Sequence, residues 1–285
     1  MSIWQVDFYR RPLQDEAGNP LWELVVCAPG GDASAVAFCP QPEANATWLT
    51  EQLQAIAGTS KISPNSQLPD CIQVFRPQSV SLLAAACKNL GIRMEQTRST
   101  RALKQLLQQR ATIYPHMSGY TRQPYDPVKL EQPPPMPLPE NLWGDQWRFG
   151  AIAAGDLLLA FGDRPIPIRH LPHELLPLQQ KIASTTPIPG VIIDGGRNSM
   201  RLARWLEQAC PAYLSYIPGE PDGLVLEAGL VDRWVLTTFE DAEVRAAARN
   251  FGDRQHAAKG LHFLLVQPDN SGMTYSGIWL LSNSQ

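Results

Sequence analysis

In a chain of 285 residues, 44% are hydrophobic and 18% charged, which supplies enough apolar side chain for one or two cores and excludes a disordered or coiled-coil protein. Twenty-four Lys and Arg against 27 Asp and Glu leave a net charge of −3, which argues against a protein that coats nucleic acid by bulk charge. The five cysteines, Cys27, Cys39, Cys71, Cys87 and Cys210, show no C-x-x-C pairing and read as reduced, mostly buried thiols in a cytoplasmic compartment.

The first third reads as strands followed by helices. Trp4–Phe8 and Trp22–Val26 are aromatic and β-branched, with Asp15–Pro20 as the turn between them, so they predict a hairpin. A third strand is expected at Ala35–Cys39. A helix should start at Asn45 or Thr47, carry Trp48, Leu49, Leu53, Ile56 and Ala57 inward, and stop at Gly58. Cys71–Phe75 reads as a short strand. Val80, Leu83, Ala84, Cys87 and Leu90 then recur at helical spacing up to Gly91. A third helix starts at Ser99 or Thr100, with Leu103, Leu106 and Leu107 facing the core.

Pro124, Pro127, Pro133, Pro134, Pro135, Pro137 and Pro139 crowd the next stretch. Such a run favours extended backbone over helix or central strand, so a semi-rigid linker is expected at 118–140 between domains at 1–117 and 141–285. Beyond it, strands are predicted at Gln146–Ile152, Val191–Ile193, Leu224–Leu226, Arg233–Thr238, Gly260–Val266 and Ser276–Leu281. Helices are predicted from Gly196 to about Cys210 and over Asp241–Asn250. The fold class expected is α/β in the mixed α+β sense, as two strand–helix domains.

The start of the chain has no apolar signal core. The longest apolar run, Ala151 to Phe161, contains Asp156 and is far shorter than the roughly 20 residues that cross a bilayer. A soluble, cytoplasmic protein without membrane insertion is expected.

Charge is distributed unevenly. Between Lys88 and Arg110 stand Lys88, Arg93, Arg98, Arg101, Lys104 and Arg110 against one acid, Glu95. Helical geometry puts Arg101, Lys104 and Gln108 opposite the leucines, while Arg110 falls on the apolar side and should snorkel at the helix end. This is either a solvated face or a phosphate-tracking patch. Arg197, Arg201 and Arg204 form a second stripe after Gly195-Gly196, opposite Trp205 and Leu206. A strand–Gly-Gly–helix junction there is either a tight turn or an anion seat made of exposed N–H groups.

Enzymatic motifs are thin. No P-loop, H-E-x-x-H or G-x-S-x-G is present, and His170 and His173 flank a proline with no fixed partner, so neither a metal nor a cofactor is expected. Asp7 and Glu23, on neighbouring strands, are the one pair that a nuclease could use. No catalytic lysine follows Glu23, and the plainer reading is two charges on the solvated face of a hairpin. Tyr9 beside Arg10 and Arg11, and Tyr114 and Tyr120 near Arg122, either stack on bases or pack at a domain edge.

A series of short signatures carries a family resemblance. Asp7-Phe8-Tyr9 with Arg11-Pro12, Trp22-Glu23-Leu24, Phe38-Cys39-Pro40, Trp48-Leu49, Phe75-Arg76 and Tyr114-Pro115 occur in order. They are followed by Pro137-Leu138-Pro139, Gly144-Asp145-Gln146-Trp147, Lys259-Gly260-Leu261-His262-Phe263 and Gly277-Ile278-Trp279-Leu280-Leu281. Together they resemble the TAB/ATAB-type RNA-binding family along nearly the whole chain. The resemblance implies binding of A/U-rich RNA and a role in translating the messenger of the photosystem I B subunit, with wider photosystem biogenesis in plants. It implies a cyanobacterial-type member, since no transit peptide is seen, and it supplies no catalytic residues.

The leading expectation is therefore a single-stranded RNA-binding protein. On the charge pattern alone its contacts are Arg93, Arg98, Arg101, Lys104, Arg197, Arg201 and Arg204, with translation or assembly proteins as further partners. The competing readings are an adaptor that uses the seven carboxylates of Glu220–Glu243 to contact proteins, and a nuclease-like enzyme.

Overall fold

The structure, a computed structural model, describes residues 2–31, 33–59, 62 and 67–283. It is mixed α/β, as the sequence pattern requires, and it divides into two compact units, residues 1–131 and 132–284.

The first unit contains β1 (Ile3–Gln14), β2 (Pro20–Cys27), β3 (Ser34–Pro40), α1 (Ala46–Gly58), β4 (Cys71–Val74), α2 (Pro77–Leu90), β5 (Arg93–Gln96) and α3 (Arg101–Ala111). Its sheet has the order β3-β2-β1-β4-β5. The first three strands form an antiparallel meander, and β4 and β5 run parallel to β1. Alternation along β1 assigns the two faces. Trp4, Val6 and Phe8 join Leu49, Leu53, Leu83 and Cys87 in the core under α1 and α2. The opposite face of the sheet carries Val25, Cys27 and Phe75 and is covered by Leu103 and Leu107 of α3. Asn45 caps α1 by accepting from Trp48 N–H at 3.0 Å, and α2 ends at Gly91 with φ of +68°.

The second unit contains β6 (Met136–Pro137), β7 (Gln146–Ala153), α4 (Leu157–Phe161), β8 (Ile168–His170), β9 (Pro187–Asp194), α5 (Ser199–Ala209), β10 (Pro211–Ile217), β11 (Asp222–Ala228), β12 (Asp232–Phe239), α6 (Ala242–Ala257), β13 (Leu261–Gln267) and β14 (Gly277–Ser282). Two sheets form, ordered β7-β9-β13-β14-β8 and β10-β11-β12-β6. Leu202 and Leu206 of α5, Leu214 and Leu224 of the second sheet, and Val191 and Leu264 of the first share one core. The other face of the larger sheet packs Ile188, Phe263 and Leu280 against Leu157 and Phe161 of α4.

His262 joins three elements in this unit. Its Nε2 accepts from Leu214 N–H of β10 at 2.9 Å, which leaves the proton on Nδ1 to be donated to Gly260 O at 2.8 Å. Gln255 of α6 lies 2.9 Å from Nδ1 and donates to Leu214 O at 3.1 Å. Complete burial holds the imidazole pKa down to about 4, although the Gly260 carbonyl pulls the other way.

The proline-rich stretch is not a free spacer, and both of its ends are docked. Pro12 has no N–H for a ladder, and β1 leaves its register with β2 between Arg10 and Gln14. There Thr121 N–H donates to Pro12 O at 3.0 Å and Gln14 N–H to Gly119 O at 2.8 Å. Gly119 has φ of +79°, and a Cβ on it would strike the Gln14 carbonyl, so only glycine fits. Val128 and Leu130 pack beside α3. Past Pro133–Pro135, β6 pairs with β12 at a sheet edge, the position where a proline is tolerated.

Candidate nucleic-acid interface

Asp7 and Glu23 are not on a solvated face. Both side chains are fully buried, because α3 and the segment after it cover that side of the hairpin. Asp7 Oδ1 accepts from Arg76 Nε at 2.8 Å and Oδ2 from Arg11 Nη2 at 3.0 Å. Glu23 Oε2 accepts from Arg11 Nε at 2.7 Å and from the Tyr114 hydroxyl at 2.5 Å, while Oε1 accepts from Arg110 Nε at 2.6 Å. Burial opposes the charge on Arg11, but Asp7, Tyr125, Tyr114 and Glu23 together raise its pKa above the ordinary value. Every carboxylate oxygen therefore faces a donor, and the positions a cation would occupy hold guanidinium nitrogens. Among the described residues no group of three or more His, Cys, Asp or Glu could hold a metal ion.

The same cluster fastens the chain that follows α3. Arg11 Nη1 donates to the Tyr125 hydroxyl at 2.9 Å, and Arg76 Nη2 donates to Pro127 O at 2.6 Å. Arg110, expected to snorkel outward, turns inward because Glu23 lies beneath it. Of the tyrosines considered for stacking, Tyr9 and Tyr114 are also engaged. Tyr114 is fully buried, and the Arg76 guanidinium covers the Tyr9 ring at 4.3 Å.

Of the first basic group, Arg101 is exposed on α3 and Arg93 is exposed on the edge strand β5, 3.9 Å from Glu95. Arg98 is half-buried. Lys104 does not project freely. Its ammonium donates to Arg98 O at 2.6 Å and lies 5.6 Å from the centre of the Phe75 ring. Desolvation, and then the charge of Arg98, lower its pKa. This region is thus less uniformly solvent-facing than helical periodicity suggests.

The second group is more open. Arg197, Arg201 and Arg204 are all exposed, and none forms an ion pair among the described residues. Leu202, Ala203 and Leu206 are buried on the other side of α5, and Trp205 packs edge-on to Trp234 at 5.2 Å. Asp194, the nearest acid in sequence to Arg197, is taken by Arg148 at 2.5 Å and Gln267 at 2.7 Å. The Gly-Gly junction departs from the expected anion seat. Gly195 N–H donates to Gln267 O at 2.8 Å and Gly196 N–H to Pro268 O at 3.0 Å, so neither amide is free. The Asp145 carboxylate rests on Gly196, whose φ is +51°. The two glycine amides offer nothing to a phosphate here, whereas the arginine side chains do.

Three of the seven acids of Glu220–Glu243 have internal work: Asp222, Glu227 and Asp241. Asp222 binds Arg245 at 2.5 Å and accepts from Tyr216 and Gly219. Glu227 pairs with Arg233 at 2.9 Å, and Asp241 caps α6 by accepting from Glu243 N–H at 2.8 Å and Val244 N–H at 3.0 Å. No helix among the described residues is long and apolar enough to cross a membrane.

The architecture is that of a two-unit mixed α/β protein with arginines presented on α5 and the turn before it and an internally neutralised carboxylate pair. Comparison with protein families makes this specific. The model for the N-terminal part of the RNA-binding protein Tab2/Atab2 matches residues 3–110, and that for its C-terminal domain matches 125–282. The chain belongs to this family, which is one of RNA-binding proteins and not of enzymes. Chloroplastic TAB2 homologs of Arabidopsis thaliana and Zea mays are both 28% identical to it, over 98% of this chain and 74% and 70% of theirs. Among solved structures, a simian T-cell lymphotropic virus intasome complex with the PP2A subunit B56 gamma aligns over 44% of each chain, at 17% identity and a TM-score of 0.30. The catalytic core of BIV integrase aligns over 40% of this chain and 72% of its own, at 12% identity and a TM-score of 0.27. Likenesses this slight carry no functional argument.

Proposed function

We propose that this protein binds A/U-rich single-stranded RNA and promotes translation of photosystem messengers, that of the photosystem I B subunit first among them. Family membership supports RNA as the ligand. The observation that carries the reading for this chain is the exposed set of Arg197, in the turn that leads into α5, with Arg201 and Arg204 on α5 itself, none of which has a carboxylate partner among the described residues. Such a row tracks a backbone without reading sequence, so base preference comes from elsewhere on the surface. Arg93, Arg98 and Arg101 extend the proposed contact set on the first unit, and Lys104 contributes through position more than through free charge. The protein acts in the cytoplasm, and protein partners of translation or assembly join it there. The adaptor alternative is the weaker reading, since Asp222, Glu227 and Asp241 serve internal pairs and a helix cap. Band-shift titration with A/U-rich and G/C-rich oligoribonucleotides at two salt concentrations tests the binding. Ribosome occupancy of photosystem messengers after depletion of the protein tests the role.

A further inference from the structure

The second unit holds an aromatic-lined cavity that the arginine row does not explain. It measures about 360 Å³, within the range of small-ligand pockets. Val191, Ile193 and Leu202 line it with aliphatic side chains, and Trp143 and Trp147 line it with indoles. Trp143 is 54% exposed, which is unusual for so large a ring, yet it is held in place, because its indole N–H donates to Leu138 O at 2.9 Å. Polar groups line the same space at Gln146, Thr237 and Thr238. The cavity also adjoins the arginine row through the chain. Gly144, which lines it, packs on Ile193 and Asp194, and the next residue, Asp145, places its carboxylate on Gly196, the residue before Arg197.

We propose that this cavity receives one unpaired base of a bound RNA strand, stacked on Trp143, while the adjoining phosphates lie along Arg197 and Arg201. The inference rests on the RNA-binding reading and adds to it the place where a base is held. A base suits the site because it is flat, apolar on its faces and polar at its edge. That matches a fixed indole, an apolar lining and a few amide and hydroxyl groups. The strand must be single, since a base paired and stacked within a duplex has no free face to offer Trp143.

The test uses the full chain and an A/U-rich oligoribonucleotide carrying 4-thiouridine, with photo-crosslinking mapped by mass spectrometry, alongside Trp143→Ala and Trp143→Phe. The expected result is a crosslink at Trp143 or Trp147, about tenfold weaker binding by Trp143→Ala, and near-normal binding by Trp143→Phe, which keeps a stacking ring. Thermal unfolding of both variants shows that the fold is intact. Normal RNA binding by Trp143→Ala with crosslinks confined to other surfaces overturns the base pocket and leaves the RNA reading standing. Absence of RNA binding by the unaltered protein overturns both.

Discussion

Glu23 lies on a strand whose neighbours, Trp22 and Leu24, read as half of an ordinary hairpin, and nothing local announces that Arg11, Arg110 and Tyr114 converge on it. Burial of that face depends on α3 and on residues about ninety positions away, so the strand's own alternation could not reveal it. The consequence is measurable. Glu23→Gln leaves two guanidinium groups without their shared counter-charge and should cost about 3–5 kcal/mol, read by denaturant unfolding. A double-mutant cycle with Arg11 should show strong coupling, and additive losses would contradict the network. His262 provides a pH readout in the other unit. Its pKa is about 4 in the fold against 6.5 for the free side chain, so the folded state holds fewer protons than the unfolded state between those values. Stability from this residue is therefore complete above pH 6.5 and falls as the pH drops toward 4, by about 3 kcal/mol in all. Replacing His262 by Gln should flatten that part of the pH–stability curve, whatever it does to stability at neutral pH.

At the scale of elements, periodicity found α1, α2, α3, α5 and α6 and most strands, since each of these helices buries the leucine, alanine or phenylalanine positions on one side. It missed α4 and the short strands β6 and β8, as well as β5, whose Arg-Met-Glu-Gln is stabilised by pairing with β4 and not by its own composition, and β10, which opens with a proline. It placed Arg201 and Arg204 of α5 outward, but it put Arg197 on the same helix, where the structure has a turn, and it could not tell that Lys104 is drawn onto the Arg98 carbonyl and the Phe75 ring. The two kinds of cation should separate in experiment. Arg101→Glu should change stability by less than about 0.5 kcal/mol, whereas Lys104→Glu removes a charged hydrogen bond and should destabilise by about 1.5–3 kcal/mol. Equal melting temperatures for the two variants would contradict that distinction. The occupied amides at Gly195-Gly196 were illegible for the same reason as the cluster at Glu23, because the carbonyls that take them come from Gln267 and Pro268.

Across the whole molecule, the proline-rich stretch read as a linker at 118–140 has its residues divided between two docked segments, one in each unit. Composition could announce the break but not the docking, which is made by single contacts such as Arg76 to Pro127 O. The net charge of −3 means that RNA affinity must come from local rows of cations and must fall as salt rises. The most direct measurement is the salt dependence of binding to an A/U-rich oligoribonucleotide by the unaltered protein and by the Arg197→Glu, Arg201→Glu, Arg204→Glu variant. The expected result is salt-sensitive binding by the first. The variant should keep the same melting temperature, bind at least tenfold more weakly, and show a log–log slope flatter by about 0.7 for each phosphate it no longer neutralises. Equal affinity and equal slope for the two proteins would contradict a role for α5 in holding RNA.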